Sequence, residues 1–117
     1  MSKKHKELKE QFKQYRPDMG VFVIRNLRDG KRFIEATADL KGTMNGARFR
    51  LECGRHPCEE LQAAWREAGP GAFSFEVVDH LAYKQTEEPQ DYGEDLKTLK
   101  GIWVEKLSRE AGAEFYR

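Results

Sequence analysis

The clearest pattern of apolar and polar positions lies in two short runs, GVFVIRN (20–26) and RFIEAT (32–37). Both runs are rich in β-branched and aromatic residues, which favour strands. The Asp-Gly pair between them suits the positive φ angles of a tight turn. The pattern therefore predicts a β-hairpin in which neighbouring residues, such as Val21 and Phe22, point to opposite faces.

Three further segments have a regular pattern. The run HPCEELQAAWREAGPG (56–71) predicts a helix, with Pro57 at its first helical position and a Gly-Pro pair at its end. Residues 72–81 alternate at first between aromatic or aliphatic and polar side chains, which predicts a third strand. Residues 95–112 predict a closing helix whose apolar stripe consists of Leu96, Leu99, Trp103 and Leu107.

Two segments are less regular. Residues 38–52 have apolar side chains at helical spacing, but Gly42 and Gly46 each weaken a helix by about 1 kcal/mol relative to Ala. We therefore expect an irregular or short helix there. Residues 1–17 carry a narrow apolar stripe among charges and end at Pro17, which predicts an appended N-terminal helix.

Taken in order, these segments predict a small α+β domain, with a three-stranded antiparallel sheet flanked by helices. Residues 18–117 form a single globular unit in this interpretation, because a chain of 117 residues has the size of one domain. An acidic loop that contains Pro and Gly, residues 84–95, separates the third strand from the closing helix.

The composition indicates a soluble protein. Charged residues make up 35% of the chain and hydrophobic residues 38%, which fits a globular domain with a highly charged surface. No apolar run approaches the ~18 residues that cross a bilayer, and the first residues lack the apolar core of a secretory signal. We therefore expect a cytoplasmic protein without a membrane partner.

The net charge of +1 conceals an uneven distribution. Residues 1–55 contain 14 Lys and Arg against 7 Asp and Glu, whereas residues 56–117 contain 7 against 13. The basic half favours contact with a phosphate backbone, although an ordinary solvated surface has the same composition.

Two cysteines, Cys53 and Cys58, bracket His56. A structural zinc site needs four ligands, and the distant His80 is the obvious fourth candidate. We expect free thiols in a reducing compartment, and no bound metal.

Several short motifs occur in a familiar order. Gly20-Val21-Phe22 and Phe33-Ile34-Glu35 stand where two three-residue motifs, GIY and YIG, are expected, and His56 opens a helix. From about residue 20 to residue 107, the sequence resembles the GIY-YIG nuclease domain, a family that includes intron-encoded homing endonucleases and the incision subunit of bacterial excision repair. Residues 102–107 resemble the final helix of that domain.

The resemblance also implies an active site. Members of this family cleave a phosphodiester with one divalent ion held by a Glu of the last helix, a Tyr that helps activate water, and an Arg after the second motif. The matching positions here are Phe22, Phe33, Glu35, Thr43, His56 and Lys100. The two Phe residues replace tyrosines, Glu35 replaces the last Gly, Thr43 stands at the Arg position and Lys100 at the Glu position. A charged lysine has no lone pair, so it repels Mg²⁺ rather than binding it.

We therefore expect a catalytically inactive GIY-YIG-like domain that acts as a nucleic-acid-binding or regulatory module, with DNA or RNA as its partner and without a cofactor. Such contacts are directed at the backbone and depend strongly on salt. The candidate contact residues are Arg25, Lys31, Arg32, Lys41, Arg48, Arg50 and Arg55.

Two alternatives stay open. One is a protein–protein interaction module that uses the N-terminal helix or the loop 86–95. The other is a Mg²⁺-dependent DNA endonuclease with relocated residues, which would take its phosphate cation from Arg48 or Arg50 and its metal ligand from Glu35, Glu94 or Glu105. Glu35 and Lys100 are also candidates for an ion pair across the former active site.

Overall fold

The computed structural model describes residues 16–85, 90–110 and 112–117. The N-terminal helix expected before Pro17 and the tip of the acidic loop lie outside these residues. Within them, no helix is long and apolar enough to cross a membrane.

The described chain forms the α+β domain that the pattern predicts. Its elements, in order, are β1 (Met19–Asn26), β2 (Arg32–Thr37), α1 (Leu40–Cys53), α2 (Glu59–Ala68), a 3₁₀ turn (Pro70–Ala72), β3 (Phe73–Leu81) and α3 (Gly93–Ser108). The hairpin, the third strand and the closing helix are therefore confirmed.

The three strands form one antiparallel sheet in the order β2-β1-β3. Phe22 at its centre lies opposite Glu35 on β2 and Val77 on β3. β3 comes very close to Gly20 of β1, since a Cβ atom added there would lie 2.0 Å from the carbonyl oxygen of Asp79. Only glycine fits at this position without moving β3.

Helices cover both faces of the sheet, so the domain has two apolar layers. On one face, α1 and α2 pack against Phe22 and Ile24. On the other face, Val21 and Val23 pack against α3 through three of the predicted stripe residues, Leu99, Trp103 and Leu107. The alternation predicted for the hairpin therefore decides which helix each side chain contacts.

Helix α1 corrects the expectation of an irregular or short helix, because it is continuous over 14 residues. The Asp39 carboxylate caps it by accepting a hydrogen bond from the Gly42 N–H at 3.0 Å. A Cβ at Gly42 would lie 2.2 Å from this carboxylate, so the glycine makes room for the cap. Gly54 ends the helix at φ 75°, a conformation that glycine adopts without strain.

Helix α2 begins two residues later than predicted. Cys58 occupies the N-cap position and Glu59 is the first helical residue, so Pro57 precedes the helix. The reason is that His56 and Cys58 form a turn of their own, in which the Cys58 N–H donates to Nδ1 of His56 at 3.0 Å. The helix ends at Gly69, as predicted.

The last residues of the chain return to the sheet, although their sequence predicted no element. The Arg32 N–H donates to the carbonyl of Glu114, and the Tyr116 N–H donates to the carbonyl of Arg32. This parallel bridge places the tail beside β2. Tyr116 is buried under the α1/α2 face, where its hydroxyl accepts a hydrogen bond from the Asn26 amide at 3.0 Å.

Candidate functional site

The positions matched to an active site lie around the face of β2 that α1 and α2 cover. This face carries every second residue of the strand, namely Phe33, Glu35 and Thr37, because Phe33 packs in the same layer as Phe22. We use the name β2 site for the surface formed by Phe33, Glu35, Arg50, His56 and Lys100.

Glu35 is the acidic group of the β2 site. Its side chain is half-buried, and this burial raises the pKa of the Glu35 carboxyl above its ordinary value. The positive charges of Lys100 and Arg50 partly oppose this rise, Lys100 more than Arg50. Among the described residues, the ion pairs closer than 4.0 Å do not include Glu35. Lys100 thus acts on Glu35 through space, without the direct ion pair that the sequence suggested.

Phe22 and Phe33 differ in their surroundings. Phe22 is fully buried in the α1/α2 layer. Phe33 is half-buried, and its ring meets that of His56 in a T-shaped contact with centroids 5.2 Å apart. The phenyl rings of Phe22 and Phe33 both serve packing, and neither ring supplies an atom that takes up or donates a proton.

His56 forms the wall of the β2 site next to Phe33. Because its Nδ1 accepts a hydrogen bond from the Cys58 N–H, the neutral ring carries its proton on Nε2. Burial lowers the pKa of His56 below its ordinary value, and the positive charge of Arg50 acts in the same direction. His56 therefore stays uncharged at neutral pH.

Gln62, which the sequence analysis did not single out, holds His56 in place. Its amide oxygen accepts a hydrogen bond from the His56 N–H at 2.9 Å, and its Nε2 donates to the Leu51 carbonyl at 3.0 Å. The side chain is buried, and it therefore ties the end of α1 to the start of α2. A polar residue between Leu61 and Trp65 on an apolar helix face was the signal that could have identified it.

Thr43 occupies the position matched to the phosphate-binding arginine. Its hydroxyl lies 2.6 Å from the hydroxyl of Thr37, so it joins the end of β2 to the first turns of α1. A short neutral side chain used in this contact offers no positive charge to a phosphate. The cation nearest to this role on α1 is Arg50, which acts on both Glu35 and His56.

The carboxylates considered as relocated metal ligands do not converge. Glu94 lies exposed in the first turn of α3, and Glu105 near the end of this helix pairs at 2.8 Å with Arg109, the residue that follows it. Over residues 16–85, 90–110 and 112–117, no group of three or more His, Cys, Asp or Glu residues is placed to hold a metal ion. Cys53 and Cys58 are free thiols.

The seven basic candidates separate into distinct surroundings. Lys31 pairs with Glu60 at 3.2 Å, and the buried Arg32 pairs with Glu110, so both are engaged near the C-terminal tail. Arg25 comes two residues after Val23 in β1, so it lies on the α3 face of the sheet, away from the β2 site. The structure thus removes three of the seven candidates from the surface of α1.

The remaining four candidates lie on α1 or just after it, and all are exposed. Arg48 stacks over the ring of Phe75 at 4.4 Å, on the β3 side of the helix. Lys41, seven residues earlier and so on the same side, lines a groove of about 680 Å³ between α1 and β3. Arg50 reaches the β2 site, and the Arg55 N–H donates to the carbonyl of Arg50 at 2.8 Å.

A β2-β1-β3 sheet with two helices on one face and a third helix on the other is the fold of the GIY-YIG nuclease domain. The solved structures that share it include the catalytic domain of homing endonuclease I-TevI, with a TM-score of 0.65 over 85% of this chain and 98% of that one. A glutamate-to-alanine mutant of the same domain matches with a TM-score of 0.63, over 83% of this chain and 91% of that one. Sequence identity is 16% in both cases, so these structural matches show a common fold alone. No protein-family model and no curated protein matches the sequence.

Proposed function

We propose that this domain binds the phosphate backbone of DNA or RNA at the α1 side of the sheet and does not cleave it. The observation that carries the proposal is the content of the β2 site, where the positive charges of Lys100 and Arg50 both act on a single carboxylate. This arrangement suits an anionic ligand and opposes a divalent cation.

Hydrolysis of a phosphodiester needs a group that accepts a proton from water, and oxygen ligands for the metal ion. Phe22 and Phe33 provide neither. Glu35 is the remaining acid, and two positive charges act on it. Because those positive charges also repel Mg²⁺, a single carboxylate in this setting is a poor metal ligand. The proposed activity is therefore independent of metal.

The binding surface extends along α1 on both sides. Arg50 and Lys100 lie on the β2 side, and Lys41 and Arg48 lie on the β3 side. Lysine and arginine contacts to phosphate release counterions, so binding should weaken steeply between about 50 and 200 mM salt. These contacts do not read base edges, and we expect little sequence preference.

Fluorescence anisotropy with labelled single-stranded and duplex oligonucleotides tests the binding. We expect Arg50→Ala and Lys100→Ala to weaken binding at 50 mM salt, and Arg28→Ala to have less effect. Arg28 is the matched control because it is exposed in the hairpin turn and loses the same charge away from the β2 site. Absence of binding to both nucleic acids at both salt concentrations would contradict the proposal and favour a protein partner.

A second assay tests the absence of cleavage. Supercoiled plasmid and single-stranded DNA are incubated with Mg²⁺ or Mn²⁺, with and without EDTA, and we expect no nicking. EDTA-sensitive nicking that disappears in Arg50→Ala would instead favour the endonuclease with relocated residues. Arg50 is the informative variant, because Arg48 stacks on Phe75.

A further inference from the structure

We propose that Glu35 acts as an internal competitor for nucleic acid, because its carboxylate interacts with the same two cations, Arg50 and Lys100, that would hold a backbone phosphate. The inference rests on the proposed function and adds a regulation to it. Neutralising Glu35, by protonation or by substitution with Gln, should release both cations for the phosphate and strengthen binding.

The position of Arg50 follows from contacts along α1. The bond between the hydroxyls of Thr37 and Thr43 fixes one side of α1 against the end of β2. Arg50 lies seven residues after Thr43, two turns further along the same side of the helix. Glu35 lies two residues before Thr37 on the same face of β2. The strand and the helix therefore bring the carboxylate and the guanidinium to one surface.

Lys100 approaches from the other layer. Its neighbours Leu99 and Trp103 pack in the layer of Val21, Val23 and Ile34, and α3 lies mainly over β2 and β1. Lys100 itself is exposed, and its positive charge acts on Glu35. The carboxylate thus has one cation from each helix layer and a direct ion pair with neither.

This arrangement makes the carboxylate a weakly held anion. Glu35 is half-buried, so its charged form lacks part of its hydration, and burial outweighs both cations in setting its pKa above the ordinary value. A phosphodiester that enters the same space has its own charge and several acceptor oxygens. While Glu35 is ionised, the two anions repel each other and share the same two cations.

Acidification should therefore strengthen binding over the range in which Glu35 takes up its proton. Among the described residues, the charges that act on it are those of Lys100 from α3 and Arg50 from α1. His56, from the segment before α2, contacts Phe33, the neighbour of Glu35 on the same face of β2. His56 also gains a charge at low pH, and its pKa is lowered, so its effect must be separated by a variant.

The test measures affinity for a labelled single-stranded oligonucleotide at pH 7.5 and pH 5.0. At pH 7.5 we expect Glu35→Gln to bind about 5- to 10-fold more tightly than the wild type. The matched control, Glu76→Gln, removes an exposed acid from β3 and should change affinity less than about 2-fold. The gain at Glu35 should shrink in the double variant Glu35→Gln/Arg50→Ala, because the competition is for that cation.

The wild type should bind more tightly at pH 5.0 than at pH 7.5, and Glu35→Gln should lose most of this difference. If the wild type binds but Glu35→Gln behaves like Glu76→Gln, the competition is refuted and the proposed function stands. A pH dependence that persists in Glu35→Gln and disappears in His56→Gln would assign it to the histidine and also refute the inference. If no variant binds, the proposed function itself fails.

Discussion

Replacing Gln62 with alanine should destabilise the domain far more than a polar substitution on a helix usually does. The side chain is buried and bonds two backbone groups that belong to different segments, the His56 N–H and the Leu51 carbonyl. The two groups are not equivalent after the change. The Leu51 carbonyl keeps a bond from the Gly54 N–H at 3.2 Å, whereas the His56 N–H loses its acceptor.

The magnitude follows from this difference. A buried N–H without an acceptor costs about 1–3 kcal/mol, and a lost bond to a carbonyl that keeps another partner costs about 0.5–1.5 kcal/mol. Entry of a water molecule into the space left by the amide reduces the first figure. We expect Gln62→Ala to lower the free energy of unfolding by about 2–4 kcal/mol.

Urea unfolding followed by far-ultraviolet circular dichroism measures this change. Gln62→Met keeps most of the volume and removes only the hydrogen bonds, so it should show most of the loss. Leu61→Ala, at a fully buried neighbour, calibrates the sensitivity and should cost about 2–5 kcal/mol. A loss below about 1 kcal/mol for Gln62→Ala, beside a normal loss for Leu61→Ala, would refute the reasoning.

Three further predictions concern charge, backbone and packing. Because the pKa of Glu35 is raised in the folded state, the folded protein loses stability as the pH rises from about 4.5 through that pKa. We therefore expect Glu35→Gln to be more stable than the wild type at pH 7.5 and about equally stable at pH 4. Equal melting temperatures at pH 7.5 would contradict this prediction. Gly46→Ala should raise the free energy of unfolding by about 0.5–1 kcal/mol in urea, since a Cβ at this position meets nothing within 4 Å. Gly42→Ala should give no gain, because its Cβ would displace the Asp39 carboxylate that caps the helix. Trp103→Phe should cost about 1 kcal/mol by losing the indole N–H bond to Asp79 at 2.9 Å, and an unchanged urea midpoint would show that this bond contributes nothing.

The elements that could be predicted are those determined by local sequence. The hairpin follows from alternation and an Asp-Gly turn, and Gly30 in that turn does adopt a positive φ of 78°. Helix α1 was wrongly expected to be irregular, because propensity counts each glycine as a loss. The cap at Asp39, the left-handed Gly54 and the packing against the sheet outweigh that loss, and only the last of these is tertiary.

The site was predictable as a set of positions and not as a set of contacts. Matching the motifs identified Glu35 and Lys100, and the structure brings their charges to one surface. The sequence did not distinguish Arg48 from Arg50, since the choice depends on which side of α1 faces β2. It also did not assign Gln62: a polar residue on an apolar helix face marks the position, but the two backbone groups that it bonds belong to other segments.

The tail beside β2 also determines how this protein behaves toward copies of itself. A strand at the edge of a sheet exposes a row of N–H and C=O groups that another chain can pair with. Here both backbone groups of Arg32 are already bonded to the tail, and Tyr116 is anchored in the core beside them. The last residues of the chain therefore cover the start of this edge, at Arg32, and removing them would expose these backbone groups to pairing with another chain.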